Sequence, residues 1–282
     1  MLKKIRALSY QHAIPAAFII FLLIDFSLLG LGQLLSLLPP TLPMIYLFEI
    51  ILMIVPAAFV FFFGFSSAFK KGSFLRGLLY GLPFIALQLF TLATFFTGTL
   101  GNPEVNWKPW YLIIYGVFSV FGIGFREECI YRATIQNVVA KKHANSVKGI
   151  WITVIIGAFI FGLTHVSNLF FGVEPLAVLT QAISSTFVGL LFGAIYLRCG
   201  NIWVLILIHT LTDIAGLSGS TFLNISDVED ISQLSSSLSW GWLLLRLAYV
   251  GFAIFLLRPS KCKQICENFY FADKESETAT HT

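Results

Sequence analysis

Gly124-Phe125-Arg126-Glu127-Glu128-Cys129-Ile130-Tyr131-Arg132-Ala133 sets four charged side chains into a chain that otherwise reads as soluble in lipid. Upstream of it, Trp110 to Gly124 is almost entirely apolar. A charge at the centre of a bilayer costs several kcal/mol, so such residues usually face the interior of a helix bundle and carry a function there. Two further polar stretches, Phe161 to Asn168 and His209 to Asp213, read as its partners.

Composition supports this setting. Of 282 residues, 57% are hydrophobic and 11% charged, and the mean hydropathy is +0.85. A soluble domain carries about 25% charge. The net charge of +4 does not indicate nucleic acid, because the basic residues sit in short loops between apolar spans rather than on one basic face. Cys129, Cys199, Cys262 and Cys266 have no zinc-site spacing. All four fall in the membrane or on its inner side, where disulfides are rare; they read as inert thiols, with lipidation of Cys199 and the tail cysteines as the alternative.

A spanning helix needs about 20 mostly apolar residues. Eight candidates follow in order: Ala13–Leu38, Leu42–Phe69, Leu78–Leu100, Trp110–Ala140, Ile150–Asn168, Leu176–Leu197, Ile202–Leu217 and Trp240–Leu257. The first is too long for a signal sequence and reads as a retained span. Pro83 is a possible bend in the third. Lys and Arg mark the cytosolic side of a membrane protein. With the N-terminus inside, that side holds Lys3, Lys4, Arg6, Lys70, Lys71, Arg76, Lys141, Lys142, Lys148, Arg198, Arg258, Lys261, Lys263 and Lys274, against Lys108 alone outside. The expected fold is therefore all-α and polytopic, with about eight transmembrane helices and both termini cytosolic. It divides into N-terminal helices (1–105), a core bearing the polar motifs (106–217), a polar loop and last span (218–260) and a flexible cytosolic tail (261–282). No internal repeat suggests a transporter built from two halves.

Glu128 and Arg132 are four apart and share a helix face. Glu127, about 100° round the helix, points elsewhere and is free for chemistry. One fixed carboxylate beside one proton-labile carboxylate is what acid–base chemistry needs; the competing reading is a structural ion network. Phe161 precedes His165 by one turn and is placed to fix its ring, while Asn168 caps or bridges the helix end. Alone, His165 reads equally well as an interhelical hydrogen-bond partner. His209 and Asp213 share a face of the seventh span, and a bundle can bring three such helices to one cavity. Zinc held by Glu127, His165 and His209 is one possibility, although no His-Glu-x-x-His occurs. A metal-free site in which Glu127 and His165 activate water is the simpler one, with no cofactor. Ser184, Ser185 and Thr186 read as helix packing, since no base is assigned to them. Asp25 and Glu49, isolated in the first two spans, are placed to pair with Arg246 or to lie near an aqueous end.

Glu127-Glu128-x-x-x-Arg132, Phe161-x-x-x-His165 and His209-x-x-x-Asp213 resemble the three ordered motifs of the CPBP family, the CAAX-prenyl-endopeptidase and bacteriocin-processing or bacteriocin-immunity membrane proteins, also called the Abi family. The resemblance implies an intramembrane endopeptidase of the glutamate type, formerly classed with metallopeptidases, in a prokaryotic cell membrane. Its partners would be a peptide or lipidated-protein substrate and membrane lipid. It implies that Glu127 and His165 activate water, that His209 and Asp213 form the oxyanion site, and that Glu128 and Arg132 support and orient them. Prenyl-protein endopeptidases carry Asn at the last position. Asn donates a hydrogen bond and ionised Asp does not, so Asp213 either is protonated or orients His209, and the CAAX substrate is left open. The rival within the same family is a non-catalytic self-immunity or membrane regulatory protein.

Overall fold

The computed structural model describes residues 2–39, 41–70, 72–233 and 239–266. Lys71 and Lys274, counted above among the inward cations, and residues 267–282 of the expected tail lie outside them. The helices are α1 (Leu2–Gln11), α2 (Ala13–Leu35), α3 (Leu42–Phe62), α4 (Phe74–Thr99), α5 (Trp110–Glu128), α6 (Asn137–His143), α7 (Val147–Thr164), α8 (Pro175–Cys199), α9 (Ile202–Gly216), α10 (Ser218–Phe222), α11 (Asp227–Ser232) and α12 (Trp240–Leu256). Among the described residues there is no strand, only an isolated bridge between Trp107 and Leu223.

Among the described residues five segments are long and apolar enough to cross a membrane: α2, α3, α4, α7 with its extension to Phe171, and α8. They become six if α12 and the following helix Pro259–Cys266, bent by 59°, form one span. The protein is an integral membrane protein. α5 and α9, the other two of the eight segments expected from sequence, are not among these candidates. At 15 residues, α9 is about 22 Å long, short of a hydrocarbon core of about 30 Å.

Several expected boundaries move. The basic N-terminus forms α1, with Arg6 turned back onto the carbonyls of Phe61 and Phe62 at the end of α3. The second helix stops at Phe62, since Gly64 takes a left-handed φ of 77° and a separate 3-10 turn covers Ser66–Phe69. Pro83 does not interrupt α4. The loop after α9 contains α10 and α11. Residues 261–266 of the expected tail belong to the helix Pro259–Cys266, in which Cys262 and Ile265 are buried.

The turns are tight because their residues satisfy the helix ends. α8 begins at Pro175 with the Glu174 carboxylate accepting from Ala177 N–H at 2.8 Å, since Pro lacks the donor that the first turn would waste. It ends at Gly200, whose φ of 65° suits a residue without Cβ. Asn201 at once caps α9, accepting from Val204 N–H at 3.3 Å. A two-residue turn thus sets where His209 stands, about two turns into α9. Gly72 packs against this corner; a Cβ there would lie 2.3 Å from the Gly200 backbone, while Ser73 N–H donates to Cys199 O at 2.8 Å.

α8 packs on α7 and α12, α9 on α5 and α4, and α3 on α5. Glycines permit close approaches between these helices. A Cβ on Gly124 would come within 2.9 Å of Thr210 Oγ1, and one on Gly162 within 2.0 Å of Thr186 Oγ1. These two contacts draw α5 to α9 and α7 to α8 near the motif residues.

Candidate active site

All three motifs meet at the imidazole of His209. Its Nδ1–H donates to Glu128 Oε1 at 2.7 Å. Its Nε2 lies 3.3 Å from Glu127 Oε2 and 3.6 Å from Asp213 Oδ2. The expected i,i+4 pairs are both present, but Glu127 does not point away from the pair. It meets the far edge of the ring that Glu128 holds, because α9 enters between the two directions set by consecutive residues of α5. Glu128, rather than Asp213, occupies Nδ1.

The carboxylates differ in exposure. Glu128 is sealed, with its side chain at 0%, whereas Glu127 and Asp213 each expose 21%. Below them Arg132 is 1% exposed. Its Nη1 is 3.3 Å from Glu128 Oε1, off the hydrogen-bonding direction, and neither Nη1 nor Nη2 has a hydrogen-bond partner among the described residues. The guanidinium instead lies over the Phe161 ring at 4.5 Å and that of Phe192 at 5.5 Å, contacts worth up to about 2 kcal/mol when desolvated. Removing one member of such a buried pair strands the other, at a cost of about 3–5 kcal/mol.

The backbone changes register at two of the motifs. After Glu128 the helix widens into a π segment, Cys129–Gln136, all eight residues of which are buried. After Thr164 it tightens into a 3-10 segment, His165–Phe171. Such departures inside helices recur at functional sites. Gln136 anchors the π segment by donating to Gly193 O at 3.0 Å, and Asn137 donates to Tyr196 Oη at 2.9 Å.

His165 Nδ1–H donates to Phe161 O at 3.0 Å. In the neutral ring Nε2 is then an acceptor, and Ser185 Oγ–H donates to it at 3.3 Å. Phe161 sits edge-on to both His165 and His209, with ring centres at 5.3 and 5.6 Å, so it spaces the two imidazoles as well as steadying one. His165 lies within electrostatic reach of Glu127. Asn168 bridges to α8, donating to Gln181 Oε1 at 2.7 Å.

Three residues have other roles than their sequence suggested. Ser185, read as packing, is the partner of His165. Glu49 does not meet Arg246; it pairs with Arg126 Nη1 at 2.5 Å and accepts from Ser119 Oγ at 2.7 Å. Asp25 accepts weakly from Thr164 Oγ1 at 3.5 Å, while Arg246 Nε donates to Ser184 Oγ at 3.1 Å. Sequence carries one signal for the last group, an acid in an apolar span, but none that names its partner.

Both nitrogens of His209 face carboxylates, Nε2 of His165 faces Ser185, and among the described residues no group of three His, Cys, Asp or Glu is placed to hold a metal ion.

Apolar helices thus enclose a partly exposed Glu beside two histidines. Residues 109–215 match the family described as Rce1-like, type II CAAX prenyl endopeptidase, in agreement with the resemblance carried by the motifs. The matched stretch runs from just before α5 to the last turn of α9 and holds all three motifs. No curated protein matches the sequence.

Proposed function

We propose that the protein is an intramembrane endopeptidase that hydrolyses a peptide bond in a membrane-associated peptide or lipidated protein by water activated between Glu127 and His165. The observation that carries this reading is the convergence of three helices on His209 with the carboxylates divided: Glu128 is sealed and committed, and Glu127 is 21% exposed. Glu127 takes one proton from water while His165 Nε2 accepts the other as a hydrogen bond. The hydroxide adds to the carbonyl carbon, and the proton on Glu127 passes to the departing amine. Glu128 accepts at Nδ1 of His209, so a proton on Nε2 points towards Glu127, Asp213 and the developing oxyanion. A donor so placed is typically worth about 2.7–4 kcal/mol. Asp213 holds that proton in line at rest.

This reading uses no metal, and it retains eight spans with both termini cytosolic in a prokaryotic membrane. α5 and α9 are then crossings shortened or lengthened by the polar site they carry. The experiment is cleavage by detergent-purified protein of prenylated, bacteriocin-leader and signalling-peptide substrates. Cleavage of one class by the wild type and its loss in His165→Ala support the reading. Full biological activity in cells from Glu127→Ala, His165→Ala and His209→Ala proteins would instead favour the non-catalytic rival.

A further inference from the structure

Arg126 directly precedes the proposed base and is close enough to act on it electrostatically. A free guanidinium there would hold Glu127 in its ionised form and weaken it as a proton acceptor, because charges in a poorly polarisable interior interact over long range. The structure shows where that charge goes. Arg126 Nη1 contacts Glu49 Oε2 at 2.5 Å, and Glu49 Oε1 is taken by Ser119 Oγ at 2.7 Å. The pair is largely withdrawn from solvent, with side chains at 16% and 11% exposure. Gly122 makes room for it, since a Cβ at that position would lie 2.9 Å from Glu49 Oε2. Glu49 stands on α3, outside the 109–215 stretch that matches the endopeptidase family.

We infer that Glu49 is a positioning residue for the reaction: it binds and neutralises Arg126 so that Glu127 remains a competent base. α3 thus supplies part of the electrostatics of a site whose reacting groups all come from α5, the 3-10 segment after α7, and α9. The other charged and titratable groups around Glu127 are His209 and Asp213 on α9, His165 after α7, Glu128 on its own helix, Tyr131 in the π segment that follows and Asp25 on α2. Among the described residues Arg126 forms its ion pair with Glu49 rather than with any of these. The inference rests on the peptidase reading.

The test is a charge-rescue series on purified full-length protein, with kcat and KM for the cleaved substrate. Glu49→Gln removes the counter-ion alone, and kcat is expected to fall about ten-fold, the order of a general-base effect partly lost, with KM little changed. Glu49→Gln with Arg126→Gln removes both charges, and kcat is expected to recover to within about three-fold of wild type. Glu49→Asp retains the charge and should cleave better than Glu49→Gln. If Glu49→Gln fails to fold, the comparison passes to the double variant and Glu49→Asp, both of which must then cleave. Undiminished kcat in Glu49→Gln, or no recovery in the double variant, overturns the inference and leaves the pair a packing element. A wild type that cleaves nothing sinks the peptidase reading and the inference together, whereas an active wild type with an unaffected Glu49→Gln sinks only the inference.

Discussion

Glu128 on α5 accepts a 2.7 Å hydrogen bond from Nδ1 of His209 on α9, which fixes the orientation of the ring that the other motifs surround. The bond is buried and joins two helices drawn together at Gly124. It makes the polar site a structural element of the bundle as well as a chemical one.

Breaking that bond should therefore unfold as well as inactivate. Glu128→Ala strands the Arg132 cation and an imidazole donor in the interior, and the expected loss is about 3–5 kcal/mol of stability. Thermal denaturation in detergent measures it. Arg132→Ala should cost a similar amount, and the double variant distinctly less than the sum, since each single change leaves the other's partner unpaired. Additive losses would mean that the two residues do not act as a pair.

The α7–α8 contact positions His165. Gly162→Ala forces a methyl to within 2.0 Å of Thr186 Oγ1 and 2.7 Å of Ala182 O, and the Ala182 carbonyl is backbone that cannot rotate away. The expected cost is about 1–3 kcal/mol, the usual range for overpacking, with cleavage reduced because His165 follows three residues later. Relief by Thr186→Ala should be incomplete, since the Ala182 carbonyl remains.

Ser185 is expected to matter modestly. Losing one hydrogen bond of ordinary strength costs about 0.5–1.5 kcal/mol, so Ser185→Ala should lower kcat by about two- to ten-fold and leave stability near wild type. A loss of several thousand-fold, with a covalent intermediate trapped by an acyl-transfer reagent, would instead make Ser185 a nucleophile.

Chelation is expected to leave cleavage unchanged, because the donor atoms of His165 and His209 are already turned to Ser185, Glu127 and Glu128. Activity lost on dialysis against a chelator and restored by zinc would reverse the assignment.

Much of the site was legible in the chain. Charged and histidine side chains in apolar spans stand out because lipid makes them costly, and the i,i+4 spacings of Glu128–Arg132 and His209–Asp213 are local. The direction of Glu127 was not legible, because it depends on where α9 enters. Nor was the π segment after Glu128. Its composition suits an α-helix, and the change of register places Gln136 and Asn137 on hydrogen-bond partners in α8. Ser185 had no local signal, since a hydroxyl on an apolar helix most often bonds its own turn, as Thr186 does with Ala182 O at 2.9 Å. The Glu49–Arg126 pair required knowing that α3 and α5 are neighbours. The span count was least secure where the motifs interrupt the hydrophobic pattern, in α5 and α9.

The most direct measurement is single-turnover cleavage of a membrane-embedded peptide by purified wild type and Glu127→Gln, a near-isosteric change that removes the base while leaving a group able to face His209. Cleavage by the wild type, with a fall of at least about a hundred-fold in the variant at unchanged thermal stability, is the expected result for a general base. A stable Glu127→Gln protein that cleaves at the wild-type rate would contradict it.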